Sequence, residues 1–181
     1  MAILFSACKK NKDPYPDHII AGETSGQGVY YSGYMNEEFT HSSWSTYIQR
    51  EIDINGDGTN ECILKYFASN SQAMFTYQVS IGPAGHSYCA IAVADSGGSF
   101  AYPIPSNTII DNNLKWYPGD CILYHYHSQM GTTSQAGLWK GVKGKYVGVT
   151  AMDGERTIYG WVRVELDGSL LKLFGYAGTG S

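Results

Sequence analysis

Three β-type runs close the chain: Lys145-Tyr146-Val147-Gly148-Val149-Thr150-Ala151-Met152, Thr157-Ile158-Tyr159-Gly160-Trp161-Val162-Arg163-Val164-Glu165-Leu166 and Leu170-Leu171-Lys172-Leu173-Phe174-Gly175-Tyr176. Only a loop containing Asp153-Gly154 and the dipeptide Asp167-Gly168 separate them. Asp-Gly between alternating apolar residues signals a hairpin, because both residues tolerate the left-handed backbone that tight hairpin turns demand. The last third of the chain therefore reads as a three-stranded antiparallel meander. In the middle run Val162, Val164 and Leu166 share one parity, and Tyr159, Trp161, Arg163 and Glu165 share the other. The valine face is expected to be buried and the aromatic and charged face half open.

The same reading extends upstream. Strand-like runs occur at 28–34, 44–54, 61–67, 74–81, 88–94 and 120–127, punctuated by Asn55-Gly56-Asp57-Gly58, Gly82-Pro83, Ser96-Gly97-Gly98 and Pro118-Gly119. No twelve-residue window carries the i, i+3, i+4, i+7 apolar stripe of an amphipathic helix, and Asn36–Thr46 comes nearest without reaching it. Regular strand spacing without a helical layer predicts an all-β fold, an antiparallel β-sandwich of jelly-roll-like type, with a closed barrel as the alternative. Residues 17–181 are expected to form a single β-sandwich domain.

Composition narrows the function classes. Of 181 residues only 15% are charged, against roughly 25% in typical soluble domains, while there are 22 Gly and 15 Tyr. A net charge of -4 and the lack of any Lys/Arg block exclude the electrostatic footprint of a nucleic-acid binder. No run approaches the roughly 18 apolar residues needed to span a bilayer as a helix.

The sharpest chemical signal is Asp53-Ile54-Asn55-Gly56-Asp57-Gly58-Thr59-Asn60-Glu61. Alternate residues of a tightly curled loop supply hard oxygens here, with Gly56 at the sharp turn, which is the arrangement calcium requires. The expected ligands are Asp53, Asn55, Asp57, Thr59 through its backbone carbonyl, and Glu61. Position twelve of the loop is Leu64 and the flanks read as strands, so this is a calcium loop between strands and not an EF-hand. Its default role is to rigidify the loop. The competing reading is a metal-free Asn-Gly/Asp-Gly turn.

Other constellations are weaker. Glu51-Ile52-Asp53-Ile54 begins like a laminarinase-type glycosidase motif, but Asn55 and Gly56 stand where its second carboxylate belongs. His125 and His127 lie at i, i+2 on one strand face, and zinc or copper there would need a third ligand, with His86 or His41 as candidates. No Gly-x-Ser-x-Gly elbow and no phosphate-cradling Gly loop occur, and no catalytic residue is assigned. The numerous Tyr and Trp residues either fill the core or form a sugar-stacking face, with Trp116, Tyr124, Tyr126 and Trp161 as the candidate ligand-binding residues.

The first residues, Met1-Ala2-Ile3-Leu4-Phe5-Ser6-Ala7-Cys8-Lys9-Lys10, resemble the end of a bacterial lipoprotein signal, with both its basic region and its apolar region cut short. Residues 1–16 are thus read as a truncated lipoprotein signal remnant and tether, with Cys8 as the lipidation site and the only link to a membrane. The expected location is extracytoplasmic: a cell-surface or outer-membrane lipoprotein, or a secreted protein. An oxidising compartment allows one disulfide among Cys62, Cys89 and Cys121, whose spacing does not choose the pair, and buried free thiols fit the same sequence equally well.

Three blocks carry a family resemblance. Ile20-Ala21-Gly22-Glu23-Thr24-Ser25-Gly26, Ile52 through Glu61, and the C-terminal pattern Lys145-Tyr146-Val147-Gly148, Ile158-Tyr159-Gly160-Trp161-Val162-Arg163-Val164 and Phe174-Gly175-Tyr176-Ala177 resemble a group of uncharacterised secreted and lipoprotein β domains of Bacteroidota-type bacteria. That group more usually has Asp and Phe in place of Glu61 and Cys62. The resemblance implies an all-β extracellular domain with a calcium-type loop, and it lends no catalytic residue. Together these readings lead to the expectation of a non-catalytic binding module for carbohydrate or another envelope ligand. A glycan-acting hydrolase and a structural component of a surface complex are the alternatives.

Overall fold

A computed structural model describes residues 16–41, 44–85, 87–95 and 98–180. The proposed lipidation site Cys8 and the candidate ligand His86 lie outside the described residues. Fifteen strands and no helix are present among those described: β1 (Ile19–Ile20), β2 (Val29–Tyr31), β3 (Glu37–Phe39), β4 (Ser45–Ile52), β5 (Cys62–Ser71), β6 (Met74–Pro83), β7 (Cys89–Ala92), β8 (Pro103–Pro105), β9 (Ile109–Ile110), β10 (Trp116–Tyr117), β11 (Cys121–Gln129), β12 (Thr132–Ala136), β13 (Lys145–Asp153), β14 (Arg156–Asp167) and β15 (Leu170–Thr179). Every pairing between these strands is antiparallel.

The strands form two main sheets. The larger runs β10-β7-β13-β14-β15-β2, with β3 also on β15 and β8 also on β13; the smaller runs β12-β11-β6-β5-β4. The expected meander is present as β13–β14–β15, and a second one, β4–β5–β6, makes the other half. Neither sheet closes on itself, so the architecture is a β-sandwich and not a barrel. The segment nearest to a helical pattern, 36–46, contains β3 and the start of β4.

Period-two alternation decides what fills the space between the sheets. Val147, Val149, Val162, Val164, Leu166, Leu171 and Leu173 of the larger sheet meet Leu64, Tyr66, Val79, Ile81 and Leu123 of the smaller one in a continuous buried cluster. The valine parity of β14 is therefore the core face, as its sequence predicts. Trp139 enters this core fully buried and donates its indole N–H to Ala101 O at 2.9 Å. Trp139→Phe loses that donor and part of the ring volume. It is expected to cost about 2 kcal/mol, read as a lower urea midpoint with an unchanged m-value.

The opposite face of β14 corrects an expectation. Trp161 is only 2% exposed, and Tyr159 is buried too. They belong to a second apolar cluster with Tyr146, Ile104 and Ala177, roofed by Ile19, Ala21 and Ile110. The roof is the two-stranded ribbon β1–β9, which lies on the outside of the larger sheet. Trp161 donates its indole N–H to Glu23 O at 3.1 Å, so a third layer closes the aromatic part of this face, while Arg163 and Glu165 stay half-buried.

Candidate functional site

The 53–61 loop closes the β4–β5 hairpin, whose last pair is Ile52 with Cys62. Its apolar residue Ile54 is fully buried and joins the central core, which pulls the loop inward against the end of β15. That contact requires glycine: a Cβ built on Gly178 collides with Ile54 O, and one on Gly180 collides with Asn55 O. At the foot of the loop Glu61 N donates to Ile52 O at 3.0 Å, and Ala84 N donates to Glu61 O at 2.9 Å.

This anchoring brings three acidic side chains together. Asp53, Asp57 and Glu61 each offer a carboxylate oxygen, and the three oxygens lie within 4.8 Å of one another. Asp53 accepts from Gly56 N at 2.7 Å and from Gly58 N at 2.9 Å, while Asp57 accepts from Thr59 N at 2.7 Å. Glu61 is only 4% exposed and accepts from Ile54 N at 2.8 Å. Each oxygen retains a further lone pair after accepting one hydrogen bond.

Electrostatics separates the three. Burial raises the Glu61 carboxyl to about 7; the Ile54 N–H opposes this, and the neighbouring charges of Asp53 and Asp57 add to it. Asp57 is held below its ordinary value, chiefly by the Thr59 backbone N–H. One buried acid thus sits beside two exposed or half-exposed ones whose charges oppose its ionisation.

The donor set fits a hard divalent cation. Two oxygens bound to one calcium at 2.3–2.6 Å stand at most about 5 Å apart, which the 4.8 Å limit satisfies. All three donors are oxygen, with no imidazole or thiolate to favour zinc or copper. Of the five expected ligands, the three carboxylates of Asp53, Asp57 and Glu61 converge. Asn55 is buried and braces the loop from within, where its Oδ1 accepts from Asp57 N at 3.1 Å and its Nδ2 donates to Asp57 Oδ2 at 3.0 Å. Thr59 contributes its N–H to Asp57 at 2.7 Å, which holds it beside the cluster.

Among the described residues, His41, His125 and His127 do not assemble. His125 and His127 lie on the outer face of β11, with His125 Nε2 3.4 Å from Thr76 Oγ1. His41 packs against Phe75, a neighbour of the core ring Tyr77 on the inner face, which places it on the wrong side of the sheet to complete a site. Glu51, the first carboxylate of the glycosidase-like stretch, accepts from Asn60 Nδ2 at 2.8 Å beside the loop.

The four aromatic ligand candidates are dispersed. Tyr124 is buried and Tyr126 half-buried in a stack on the inner face of the smaller sheet, Tyr126 lying over Tyr77 with centroids 5.6 Å apart. Trp116 lies against Tyr159 in the outer cluster of the larger sheet and donates to Asp111 O at 3.2 Å. Trp161 is buried beside Tyr146. They face two different cores and do not form one binding surface, because β11 and β14 turn their aromatic parities toward packed layers.

A different aromatic surface exists. Tyr47 (59% exposed) and Phe67 (38% exposed) are direct partners on β4 and β5, on the outer face of the smaller sheet. Phe67 is opposite Gln78, Gln78 is opposite His125, and His125 is opposite Ala136, so one row crosses all five strands. At the usual strand spacing it is about 19 Å long. Gln49 donates to the Tyr47 hydroxyl, and Lys65 Nζ is held by Asp120 at 2.7 Å, which frames the rings with fixed polar groups. The alternation of β4 and β5 contains this signal, but the row emerges only once the register of five strands is known. A separate cleft of about 460 Å³, lined by His18, Asp111, Arg156 and Tyr159 among others, shares no residue with the loop or the row.

No protein-family profile, curated protein or solved structure matches the chain.

Proposed function

We propose that the chain is a non-catalytic, extracytoplasmic binding module that uses the outer face of its five-stranded sheet to hold carbohydrate and a calcium ion to stiffen the adjoining 53–61 loop. The observation that carries the binding role is the exposed pair Tyr47 and Phe67, set in a row with Gln78 and His125. The faces of these rings suit the apolar faces of sugar rings, while the neighbouring amide and imidazole groups suit hydroxyls. Calcium would be held by Asp53, Asp57 and Glu61, and its chemistry there is charge neutralisation. The loop joins β4 and β5, the two strands that carry the rings, at the Ile52–Cys62 end, five residue pairs from Tyr47 and Phe67, so its stiffening acts on the hairpin and not on the rings directly. In the cell, the tether ending at Cys8 would keep this face at the envelope.

A glycan array probed with the wild type, Tyr47→Ala and Phe67→Ala tests the reading. A retained glycan class is expected for the wild type, with about tenfold weaker binding in each variant at an unchanged melting temperature. Variants that bind as the wild type does would remove this face as the binding site, and an empty array would count against carbohydrate.

A further inference from the structure

Cys62 begins β5 in the smaller sheet and Cys89 begins β7 in the larger one. Both are buried, and their sulfurs meet across the interior of the sandwich at 2.8 Å. A disulfide needs about 2.0 Å, so less than about 1 Å of sulfur movement separates this contact from a bond. Cys121, on β11, is buried in the same core.

We propose that Cys62 and Cys89 form a disulfide that joins the two sheets, with Cys121 left as a free thiol. The pair loses two protons and two electrons to an oxidant of the disulfide class, such as oxidised glutathione or the disulfide of a thiol oxidase, which leaves as two thiols. One cysteine thiolate first forms a mixed disulfide with the oxidant, and the second then displaces the oxidant's remaining thiol. Cys62 and Cys89 are 0% and 1% exposed, which keeps an oxidant in solution away from both sulfurs in the finished core, so the bond forms while the sheets are still closing. This makes it a structural link and not a reversible switch. Cys62 directly follows Glu61, so the bond also pins the strand end that carries the buried acid of the loop.

The supply of oxidant in the cell rests on the extracytoplasmic reading above, whereas the pairing is a property of the fold and is tested apart from it. The full chain is reduced and unfolded, then refolded either with a glutathione redox buffer or with dithiothreitol, and is denatured, alkylated and digested for mass spectrometry. The expected result is a linked peptide pair containing Cys62 and Cys89, with Cys121 alkylated. The cysteines are 27 positions apart, and closing a loop of that size should raise the melting temperature by about 10 °C over the reduced form. A Cys62→Ala/Cys89→Ala variant should melt identically in both buffers. Alkylation of both Cys62 and Cys89 after oxidative refolding, or a link that includes Cys121, would overturn the proposal. A bond that forms in vitro while chains trapped from cells remain fully reduced would overturn the location and leave the pairing intact.

Discussion

In EDTA at pH 8, Glu61→Gln is expected to be more stable than the wild type by about 2–3 kcal/mol, and in saturating calcium the order is expected to reverse. The buried Glu61 carboxyl titrates at about 7 in the folded chain, against an ordinary value of 4.5. Between those pH values the folded state holds a proton that the unfolded state has lost. The stability this group contributes is therefore complete below about pH 4.5 and is lost as pH rises through 7. Moving a carboxyl over that interval corresponds to about 3 kcal/mol, which relaxation and water reduce somewhat. Glutamine keeps an acceptor for the Ile54 N–H without ever ionising, so its advantage should be present at pH 8 and absent at pH 4. Calcium reverses the order because it binds the ionised carboxylate, so its affinity should fall up to tenfold per pH unit below 7. Urea titrations at the two pH values, with and without calcium, measure all four quantities. A wild type as stable as the glutamine variant at pH 8 in EDTA would show that the Glu61 carboxylate carries no desolvation penalty.

Gly178→Ala is expected to destabilise the protein by about 2–3 kcal/mol and to weaken the calcium response. The added methyl collides with Ile54 O and comes within 3.2 Å of Ile54 Cβ. The backbone of Gly178 has no positive φ, so alanine itself is unstrained there and the whole cost comes from the collision. Relief requires either that β15 draw away from β14, where Gly178 pairs with Gly160, or that the loop move outward. Outward movement shifts the Ile54 N–H that holds Glu61, and with it the position of one carboxylate. Gly98→Ala is the control: its nearest neighbour would be Asp95 O at 3.7 Å, and the expected change is within about 0.5 kcal/mol. Equal melting temperatures for Gly178→Ala and the wild type would mean that the loop does not rest on β15.

The long strands were legible because period-two alternation and Asp-Gly turns are local. The pairs β13–β14 and β14–β15 follow from sequence on that basis, as does burial of Val162, Val164 and Leu166. The short strands β1, β3, β8, β9 and β10 have only two or three residues, too few to alternate. The β11–β12 hairpin escaped because it turns at Met130-Gly131, both in the left-handed region, without the Asn-Gly or Asp-Gly signature. Parity places Tyr159 and Trp161 on one face, but it carries no information that β1 and β9, from distant parts of the chain, will roof that face.

The site divides in the same way. Spacing selects Asp53, Asn55, Asp57, Thr59 and Glu61, since a curled loop turns alternate residues toward one centre, and the three carboxylates among them converge. The bonds from Asn55 to Asp57 were not legible, because they depend on Ile54 plugging the core. The row from Tyr47 to His125 depends on the registers of β4, β5, β6 and β11, so the exposed pair Tyr47 and Phe67 could not be told from core aromatics in the sequence.

The central claim is that the convergence of Asp53, Asp57 and Glu61 is a calcium site, and thermal unfolding at pH 8 in EDTA and in calcium tests it most directly. At a calcium concentration about 100 times the dissociation constant, the wild type should gain about 2.7 kcal/mol and melt about 5–10 °C higher, while Asp57→Ala should not respond. An identical wild-type melting temperature in EDTA and in millimolar calcium would contradict the account and reduce the 53–61 segment to a hydrogen-bonded turn.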